Sequence, residues 1–151
     1  MIIRFESLKD GSNHWIENTD PQELELDVDA LRELVTVELD VEKRTGKIPV
    51  SIVTRTVGSF ICNRCGEDFR LDVNGNCSVM FIQRDAPFPD ELPGDDLRSY
   101  RLGQNEIDIT IDVRDALLLA LPLRLLCSDD CRGLCPVCGE NLNTGTCRCV
   151  K

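Results

Sequence analysis

The distribution of cysteine constrains this chain more than any other feature. Nine of its 151 residues are cysteines, and six of them fall within residues 121–151: Cys127, Cys131, Cys135, Cys138, Cys147 and Cys149. An odd number of cysteines without a recognisable secretory signal favours metal sites and free thiols over a disulfide framework. We therefore predict two parts, a body formed by residues 1–122 and a cysteine-rich zinc-binding knob formed by residues 123–151.

Charge divides the chain in the same way. Residues 1–120 hold 24 acidic and 13 basic side chains, whereas residues 121–151 hold 3 acidic and 4 basic ones. The formal net charge of −10 argues against a protein that coats nucleic acid through its own charge. No apolar run approaches the ~20 residues of a membrane span, and the first residues lack the pattern of a signal peptide. We expect a cytoplasmic protein.

Alternating hydrophobicity predicts a sheet in the first half of the chain. Val35, Val37, Leu39 and Val41 alternate with polar residues, which indicates a strand with one buried face. A turn at residues 44–47 leads to a second strand as far as Phe60, so the two runs predict a hairpin. Residues 69–81 keep one phase throughout, which favours a long strand with a bulge at Gly75 over a turn at residues 74–75. A further short strand is expected at residues 1–5.

Two helices are predicted. Residues 112–115 open a helix with acidic side chains at its start, residues 116–121 continue it with an unbroken apolar run, and Pro122 ends it near Leu121. This pattern indicates a helix buried on nearly every side against the sheet. A weaker helical pattern covers Pro21 to Leu34, and the proline-rich, acidic residues 85–96 are expected to form a loop. The fold class is therefore α+β, with a mainly antiparallel sheet that could close into a barrel-like form, one packed helix and the zinc knob.

The strongest motif is Cys135-Pro-Val-Cys138-Gly in the knob. Two cysteines three positions apart bring both sulfurs to one ion, and four thiolates suit tetrahedral Zn²⁺. Cys147 and Cys149 could complete the site, but Cys127 and Cys131 form a competing pair, and six thiols exceed the four that one zinc binds. Redox-active use of these thiols, with metal loss on oxidation, and plain reduced thiols are the alternatives.

A second pair, Cys62-Asn-Arg-Cys65, lies between two predicted strands and so at a hairpin tip. Metal binding by this pair requires two further ligands, for which Cys77 or the pair Cys135 and Cys138 are candidates. The alternative is a tight turn whose cysteines fill apolar space. No phosphate loop, paired-carboxylate motif or nucleophile elbow is present, and nothing places the single histidine, His14, beside a thiol, so we expect no enzymatic activity.

Three segments of the chain carry distinctive motifs. Residues 58–65 contain a Cys-x-Arg-Cys element, and residues 106–122 combine an acidic strand with a helix that ends in Leu-Ala-Leu-Pro. Residues 131–143 read Cys-Arg-Gly-Leu-Cys-Pro-Val-Cys-Gly-Glu-Asn-Leu-Asn and are followed by Cys147 and Cys149. Together these segments resemble the YceD family of large ribosomal RNA subunit accumulation proteins. The resemblance covers about residues 35–149, and this chain departs from it at Arg132, where lysine is usual.

The resemblance implies a non-enzymatic role in the accumulation of large-subunit ribosomal RNA and in assembly of the large ribosomal subunit. An acidic body contacts phosphates poorly, so the favoured partner is a basic large-subunit ribosomal protein or an assembly intermediate. Direct RNA contact through Arg124, Arg132 and Arg148 is a weaker possibility. The runner-up function is a redox-responsive zinc protein with chaperone-like activity.

Overall fold

The computed structural model describes residues 1–26, 29–84, 96–145 and 147–149. Its strands are β1 (Ile2–Arg4), β2 (Gly11–Thr19), β3 (Val35–Lys43), β4 (Lys47–Ile61), β5 (Asp68–Arg84), β6 (Leu97–Arg101) and β7 (Glu106–Asp108). The helix α1 spans Thr110–Ala120, and short 3-10 helices span Phe5–Ser7 and Pro21–Leu24. The chain is thus mostly sheet with one α-helix in its described part.

The sheet is open. Five strands lie in the order β2-β3-β4-β5-β6, while β1 and β7 form a separate antiparallel pair. Three of the four ladders in the large sheet are antiparallel, and β6 runs parallel to β5. The barrel-like form is therefore wrong, because the edge strands β2 and β6 do not pair with each other in the described residues.

Residues 69–81 do belong to one long strand, but the expected bulge at Gly75 is wrong. The β4–β5 register runs without interruption from Lys47 opposite Ile82 to Ile61 opposite Asp68. A Cβ atom at Gly75 would lie 2.3 Å from the backbone oxygen of Ala116 in α1. The glycine therefore marks a close approach of the helix backbone to the strand, which is the other common reason for glycine inside a strand.

The predicted hairpin between the run of Val35 to Val41 and the run that ends at Phe60 is confirmed as β3 and β4. Reciprocal backbone hydrogen bonds of 3.1 and 3.2 Å between Arg44 and Lys47 close its turn. Pro49 is the third residue of β4. The continuous β3–β4 pairing ends at Val50 and resumes at the Arg44–Lys47 bridge, so it is interrupted at Pro49, which has no N–H group to donate. The side chains of β4 alternate between the core-facing side and the outer side of the sheet, as the sequence pattern indicated.

Helix α1 packs on one face of the sheet with a single apolar side. Val113, Ala116 and Leu117 are buried, whereas Leu119 is 86% exposed. The expectation of a helix buried on nearly every side is thus wrong, because one helix on an open sheet has a neighbour on one side only. Its end is as predicted, since the helix stops at Ala120 and Leu121 is extended ahead of Pro122.

The weaker helix predicted from Pro21 to Leu34 is wrong within the described residues. Only the 3-10 turn Pro21–Leu24 forms there, and Glu25 ends it in the left-handed conformation with φ 53°. Three leucines still reach the common core: Leu24 from the end of the 3-10 turn, and Leu26 and Leu31 from irregular chain. Strand β2, which contains His14 and Trp15, was not predicted, since its polar residues hide the alternation.

Two further points complete the fold. The loop expected at residues 85–96 lies outside the described residues except for Asp96. Within the described part of the chain, α1 is far too short to cross a bilayer and no other helix is long and apolar enough to do so.

Candidate metal centres

The tip of the β4–β5 hairpin presents two cysteines inward. The backbone N–H of Cys62 donates to Glu67 O at 2.8 Å, and the N–H of Gly66 donates to Cys62 O at 2.9 Å. Gly66 has φ 75°, a left-handed conformation that glycine adopts without strain. This tight turn buries Cys62 and Cys65 at 2% and 4% exposure.

The segment after α1 returns to this tip. The N–H of Asn63 donates to Leu125 O at 2.8 Å, and the Arg64 guanidinium donates to Cys131 O at 2.6 Å. Gly133 lies against the same arginine, where an added Cβ would be 2.8 Å from Arg64 Cγ. These contacts bring Cys127 and Cys131 to the hairpin from more than 60 residues along the chain.

The result is a group of four sulfurs, which we name the hairpin cluster: Cys62, Cys65, Cys127 and Cys131. The Sγ atoms of Cys62 and Cys131 are 3.8 Å apart, and those of Cys65 and Cys127 are 3.7 Å apart. A tetrahedral zinc site with Zn–S bonds of about 2.3 Å has S–S edges of about 3.8 Å. The spacing of the four sulfurs therefore fits one Zn²⁺ ion.

Protonation in the hairpin cluster is uneven. Burial raises the pKa of Cys62, but hydrogen bonds from the N–H groups of Cys127, Arg64 and Cys65 outweigh it and lower the pKa to about 6. The pKa of Cys127 is raised to about 12, first by its contact with Cys131 and then by burial. Four crowded sulfurs therefore cannot all ionise without a cation between them, which is the chemistry of a thiolate metal site.

The second group is the tail cluster: Cys135, Cys138, Cys147 and Cys149. Leu134 and Asn141 form an antiparallel bridge, and Cys135 N–H donates to Glu140 O at 2.8 Å. Gly139 turns the chain with φ 74° and donates its N–H to Cys135 O at 2.9 Å. This is the tight turn that the spacing of the first two cysteines predicted.

The tail cluster has similar spacing but more exposure. The Sγ atoms of Cys138 and Cys147 are 3.6 Å apart, and those of Cys147 and Cys135 are 3.3 Å apart. N–H groups of Cys138 and Val137 lower the pKa of Cys135 to about 6. The pKa of Cys149 is raised to about 12 by Cys138, then Cys147, then burial. Cys138 is exposed, so this four-thiol set, which also fits zinc, faces solvent.

The structure divides the candidate ligands into two sets that the sequence left open. The tail pairs of residues 135–138 and 147–149 come together, and the competing pair Cys127 and Cys131 joins Cys62 and Cys65 instead. Cys77 belongs to neither cluster. It lies on β5, where its Sγ donates to Asp112 O at 3.5 Å, and burial raises its pKa to about 11.

A third group of possible ligands lies on the outer side of the sheet. His14, Glu38 and Asp40 face one another there, with His14 Nδ1 2.9 Å from Asp40 Oδ1. Glu38 is already bound by the Arg55 guanidinium at 3.0 Å. Asp40 therefore has His14 as its hydrogen-bond partner and Glu38 has Arg55 as its ion-pair partner, an arrangement that is common at surfaces without a metal.

The arginines predicted as RNA contacts are spread through the cysteine-rich end. Arg124, Arg132 and Arg148 are all exposed. Arg132 directly follows a hairpin-cluster cysteine, and Arg148 stands between Cys147 and Cys149. Arg64, which the sequence reasoning did not single out, binds Cys131 O and fixes the tail on the hairpin.

Asn143 is another functional residue that sequence reasoning missed. Its side-chain N–H donates to Cys131 Sγ at 3.4 Å, so it bonds to a ligand of the hairpin cluster from the loop of the tail cluster. The signal was present in the Asn-Leu-Asn end of the tail motif, because asparagines in a loop beside thiolates are available as donors.

Comparison with known proteins gives consistent matches. Residues 50–151 match the family described as "Large ribosomal RNA subunit accumulation protein YceD". A maize protein named "Large ribosomal RNA subunit accumulation protein YCED homolog 1, chloroplastic" is 28% identical over 76% of this chain and 48% of its own length. The Arabidopsis thaliana protein of the same name is 27% identical over 78% of this chain and 44% of its own length.

An uncharacterized protein of Mycobacterium tuberculosis is 31% identical over 72% of this chain and 52% of its own length. The chain thus spans about half the length of the curated relatives that it matches. No solved structure matches it at a significant level.

Proposed function

The chain belongs to the YceD family, and from this premise we propose that it is a non-enzymatic factor that supports accumulation of large-subunit ribosomal RNA and assembly of the large ribosomal subunit. The names of the two plant relatives support the first part of this role, the accumulation of large-subunit ribosomal RNA. The role places the protein where large subunits are assembled, which is the cytoplasm in a bacterial cell.

Zn²⁺ is the proposed cofactor, bound once by each four-cysteine cluster. The all-sulfur donor sets and their near-tetrahedral spacing support zinc. A site with four protein ligands keeps no open position for water or substrate, which is typical of structural rather than catalytic zinc. The donor sets therefore support a binding protein whose fold is stabilised by structural zinc, which agrees with a non-enzymatic role.

The observation that carries the choice of partner is the acidic charge of the body. Each four-thiolate zinc site has a formal charge of −2, so two such sites take the net charge from −10 to about −14. Metal loading therefore makes the protein a poorer ligand for bare RNA, since each neutralised phosphate requires a cation. A basic large-subunit ribosomal protein, free or within an assembly intermediate, is the partner that this charge attracts.

Local RNA contact through Arg124, Arg132 and Arg148 is a weaker form of the proposal. In the zinc-loaded protein, Arg132 and Arg148 are adjacent in sequence to thiolate ligands. These thiolates partly offset the positive charge that each arginine would present to an RNA phosphate. The redox-responsive, chaperone-like function is not favoured by the comparisons, because the names of the two plant relatives refer to ribosomal RNA accumulation. Oxidation chemistry of the exposed tail thiols is nevertheless testable on its own.

The proposal is tested by binding of the zinc-loaded protein to purified large-subunit ribosomal proteins and to bare large-subunit ribosomal RNA at rising salt. Two matched variants each neutralise three exposed carboxylates without changing size. The body variant is Glu17→Gln, Asp68→Asn and Asp72→Asn, and the tail variant is Asp129→Asn, Asp130→Asn and Glu140→Gln.

We expect binding to basic proteins that weakens with salt, and a larger loss in the body variant than in the tail variant. Tight, salt-sensitive binding to bare RNA without affinity for the basic proteins would contradict the proposed partner. Unchanged levels of large-subunit ribosomal RNA in cells that lack the protein would contradict the proposed role itself.

A further inference from the structure

We propose that the two cysteine clusters form one coupled unit, in which Asn143 is a positioning residue that transmits the metal state of the tail cluster to Cys131 of the hairpin cluster. The inference rests on the proposed zinc at both clusters. It assigns a role to the Asn-Leu-Asn end of the tail motif, which the proposed function leaves unexplained.

The side-chain amide of Asn143 has one orientation that satisfies all its neighbours. Its Nδ2 group donates to Cys131 Sγ at 3.4 Å and to Asn141 Oδ1 at 3.0 Å. Its Oδ1 accepts the N–H of Arg132 at 2.7 Å. A flipped amide would set its NH₂ group against the Arg132 N–H and its oxygen against the sulfur, so the network fixes the donor on Cys131.

The position of Asn143 depends on the tail cluster, because Asn143 lies in the loop that separates Cys138 from Cys147. A metal that binds both cysteines closes this loop and removes most of its conformational freedom. Backbone bonds also fix the loop: Leu142 N–H donates to Gly133 O at 2.8 Å and ties it to the preceding segment, and within the loop Gly145 N–H donates to Asn141 O at 2.8 Å.

A second contact joins the same loop to the hairpin tip. Asn141 Nδ2 donates to Glu67 Oε1 at 3.1 Å, and Glu67 follows Cys65 and Gly66 in the turn of the hairpin cluster. The loop of the tail cluster therefore contacts the hairpin cluster at a ligand, Cys131, and at its turn. Opening of the loop would remove both contacts at once.

The Asn143 bond acts where a zinc site of four thiolates needs it. Such a site carries a net negative charge, and N–H donors to sulfur disperse that charge and orient the ligand. Loss of an outer hydrogen bond of this kind typically costs 10–100-fold in metal affinity. Cys131 is only 2% exposed, so water has little access to replace the lost donor.

The test measures metal release from each cluster in the full chain. Zinc content is first determined by elemental analysis, and release to a chromophoric chelator is then followed in the unaltered protein, Asn143→Ala, Asn143→Asp, Cys149→Ser and the Asn143→Ala/Cys149→Ser double variant. Thr144→Ala is the matched control, since Thr144 is exposed in the same loop. Cys127→Ser identifies the release phase and the ¹¹³Cd NMR signal of the hairpin cluster.

We expect about 10-fold faster release from the hairpin cluster in Asn143→Ala and in Cys149→Ser, and no further change in the double variant, because both changes remove the same contact. Asn143→Asp should be more severe, since it sets a carboxylate against a thiolate. The hairpin-cluster ¹¹³Cd signal should shift in Asn143→Ala and not in Thr144→Ala, while circular dichroism of the sheet stays unchanged.

Two results would overturn the coupling. One is release from the hairpin cluster in Asn143→Ala at the rate seen in Thr144→Ala, and the other is multiplication of the single effects in the double variant. A chain purified without any metal would instead refute the zinc proposal on which the coupling rests, and elemental analysis separates that outcome from the first two.

Discussion

The hairpin cluster and the tail cluster offer the same four donor atoms in different surroundings. Three sulfurs of the hairpin cluster are buried, and Phe69 and Leu126 pack around them. In the tail cluster only Cys135 is buried, and Cys138 is exposed. The hairpin cluster joins segments separated by more than 60 residues, whereas the tail cluster lies within residues 135–149.

This contrast indicates different contributions to folding. A cross-link stabilises a fold by restricting the unfolded chain, and that restriction grows with the length of the closed loop. The hairpin cluster also continues the apolar packing at the end of the β4–β5 ladder. Loss of its metal would therefore leave buried thiols without a partner. The tail cluster orders a short segment that has few buried apolar residues of its own.

The largest predicted effect is therefore from a ligand of the hairpin cluster. We expect Cys131→Ser to lower the free energy of unfolding by about 3 kcal/mol or more, since it removes metal from a site that can form only in the folded chain. Cys138→Ser should lower it by about 1 kcal/mol or less. Urea unfolding of both variants and of the unaltered protein measures the difference.

Each variant should lose metal from its own cluster, which elemental analysis checks, and Cys77→Ser is a control because Cys77 lies in neither cluster. Equal destabilisation by Cys131→Ser and Cys138→Ser would show that burial of the cluster does not decide its contribution.

A pair of glycines separates the two clusters without touching a ligand. Gly133 and Gly139 both have φ 74°, so alanine at either position adopts a left-handed conformation at a cost of about 1 kcal/mol. At Gly133 the new Cβ would also lie 2.8 Å from Arg64 Cγ and 3.0 Å from Arg64 O, whereas nothing lies within 4 Å at Gly139. We expect Gly133→Ala to destabilise by about 2–3 kcal/mol and Gly139→Ala by about 1 kcal/mol.

The measurement is thermal unfolding of the zinc-loaded variants, with metal content as a check that both clusters stay loaded. Equal destabilisation by Gly133→Ala and Gly139→Ala would show that Gly133 does not lie as close to Arg64 as the geometry indicates.

Local patterns predicted the elements that carry these sites. Alternation identified β3, β4 and the long β5, and the two Cys-x-x-Cys pairs identified tight turns, because both depend on neighbours in sequence. Pro122 fixed the end of α1 for the same reason. The open sheet was not predictable, since alternation shows that one face is buried and not whether the edge strands meet.

The partition of the cysteines was also beyond local reasoning. Spacing favoured Cys135, Cys138, Cys147 and Cys149 as one site and left Cys62 and Cys65 with several candidate partners. The missing information was spatial, namely that the chain returns after α1 to the β4–β5 tip and so brings Cys127 and Cys131 there. Asn143 was missed likewise, because its partner sulfur lies 12 residues earlier in the chain.

Exposure predicts the order in which the clusters react. We expect a dilute disulfide oxidant such as oxidised glutathione to attack the tail cluster first, because Cys138 is exposed and Cys147 and Cys149 are half-buried. In the hairpin cluster only Cys127 is exposed, and its contact with Cys131, together with burial, raises its pKa to about 12, so little of it is the reactive thiolate. Thiolate attack on the oxidant releases one glutathione thiolate, and a second tail thiolate then displaces the other to form the protein disulfide and free the metal. Tail peptides should be modified at least about 10-fold faster than hairpin-tip peptides.

Mass spectrometry of tryptic peptides at timed intervals measures this order. The control is Cys138→Ser, which removes the exposed thiol and should slow the fast phase. Faster modification of the hairpin tip would contradict the assignment of the tail as the accessible site.

The smallest predicted effect is a pH dependence of the metal-free protein. The pKa of Cys62 falls from 9.0 to about 6 because N–H donors outweigh the effect of burial, and the pKa of Cys131 is lowered in the same direction despite burial, mainly through Asn143 and the Gly133 N–H. In the tail cluster, the N–H groups of Cys138 and Val137 lower the pKa of Cys135 to about 6.

A thiol whose pKa is lowered on folding binds fewer protons in the folded than in the unfolded chain between the two pKa values. The free energy of unfolding should therefore rise with pH from about 6 to about 9, and this contribution should disappear as the pH falls below 6. Because the first variant removes two thiols with lowered pKa values and the second removes one, the Cys62→Ser/Cys131→Ser pair should flatten the slope more than Cys135→Ser does. Urea unfolding of chelator-treated protein at four pH values measures the slope, and a steeper loss in Cys135→Ser would reverse the ranking of the two clusters.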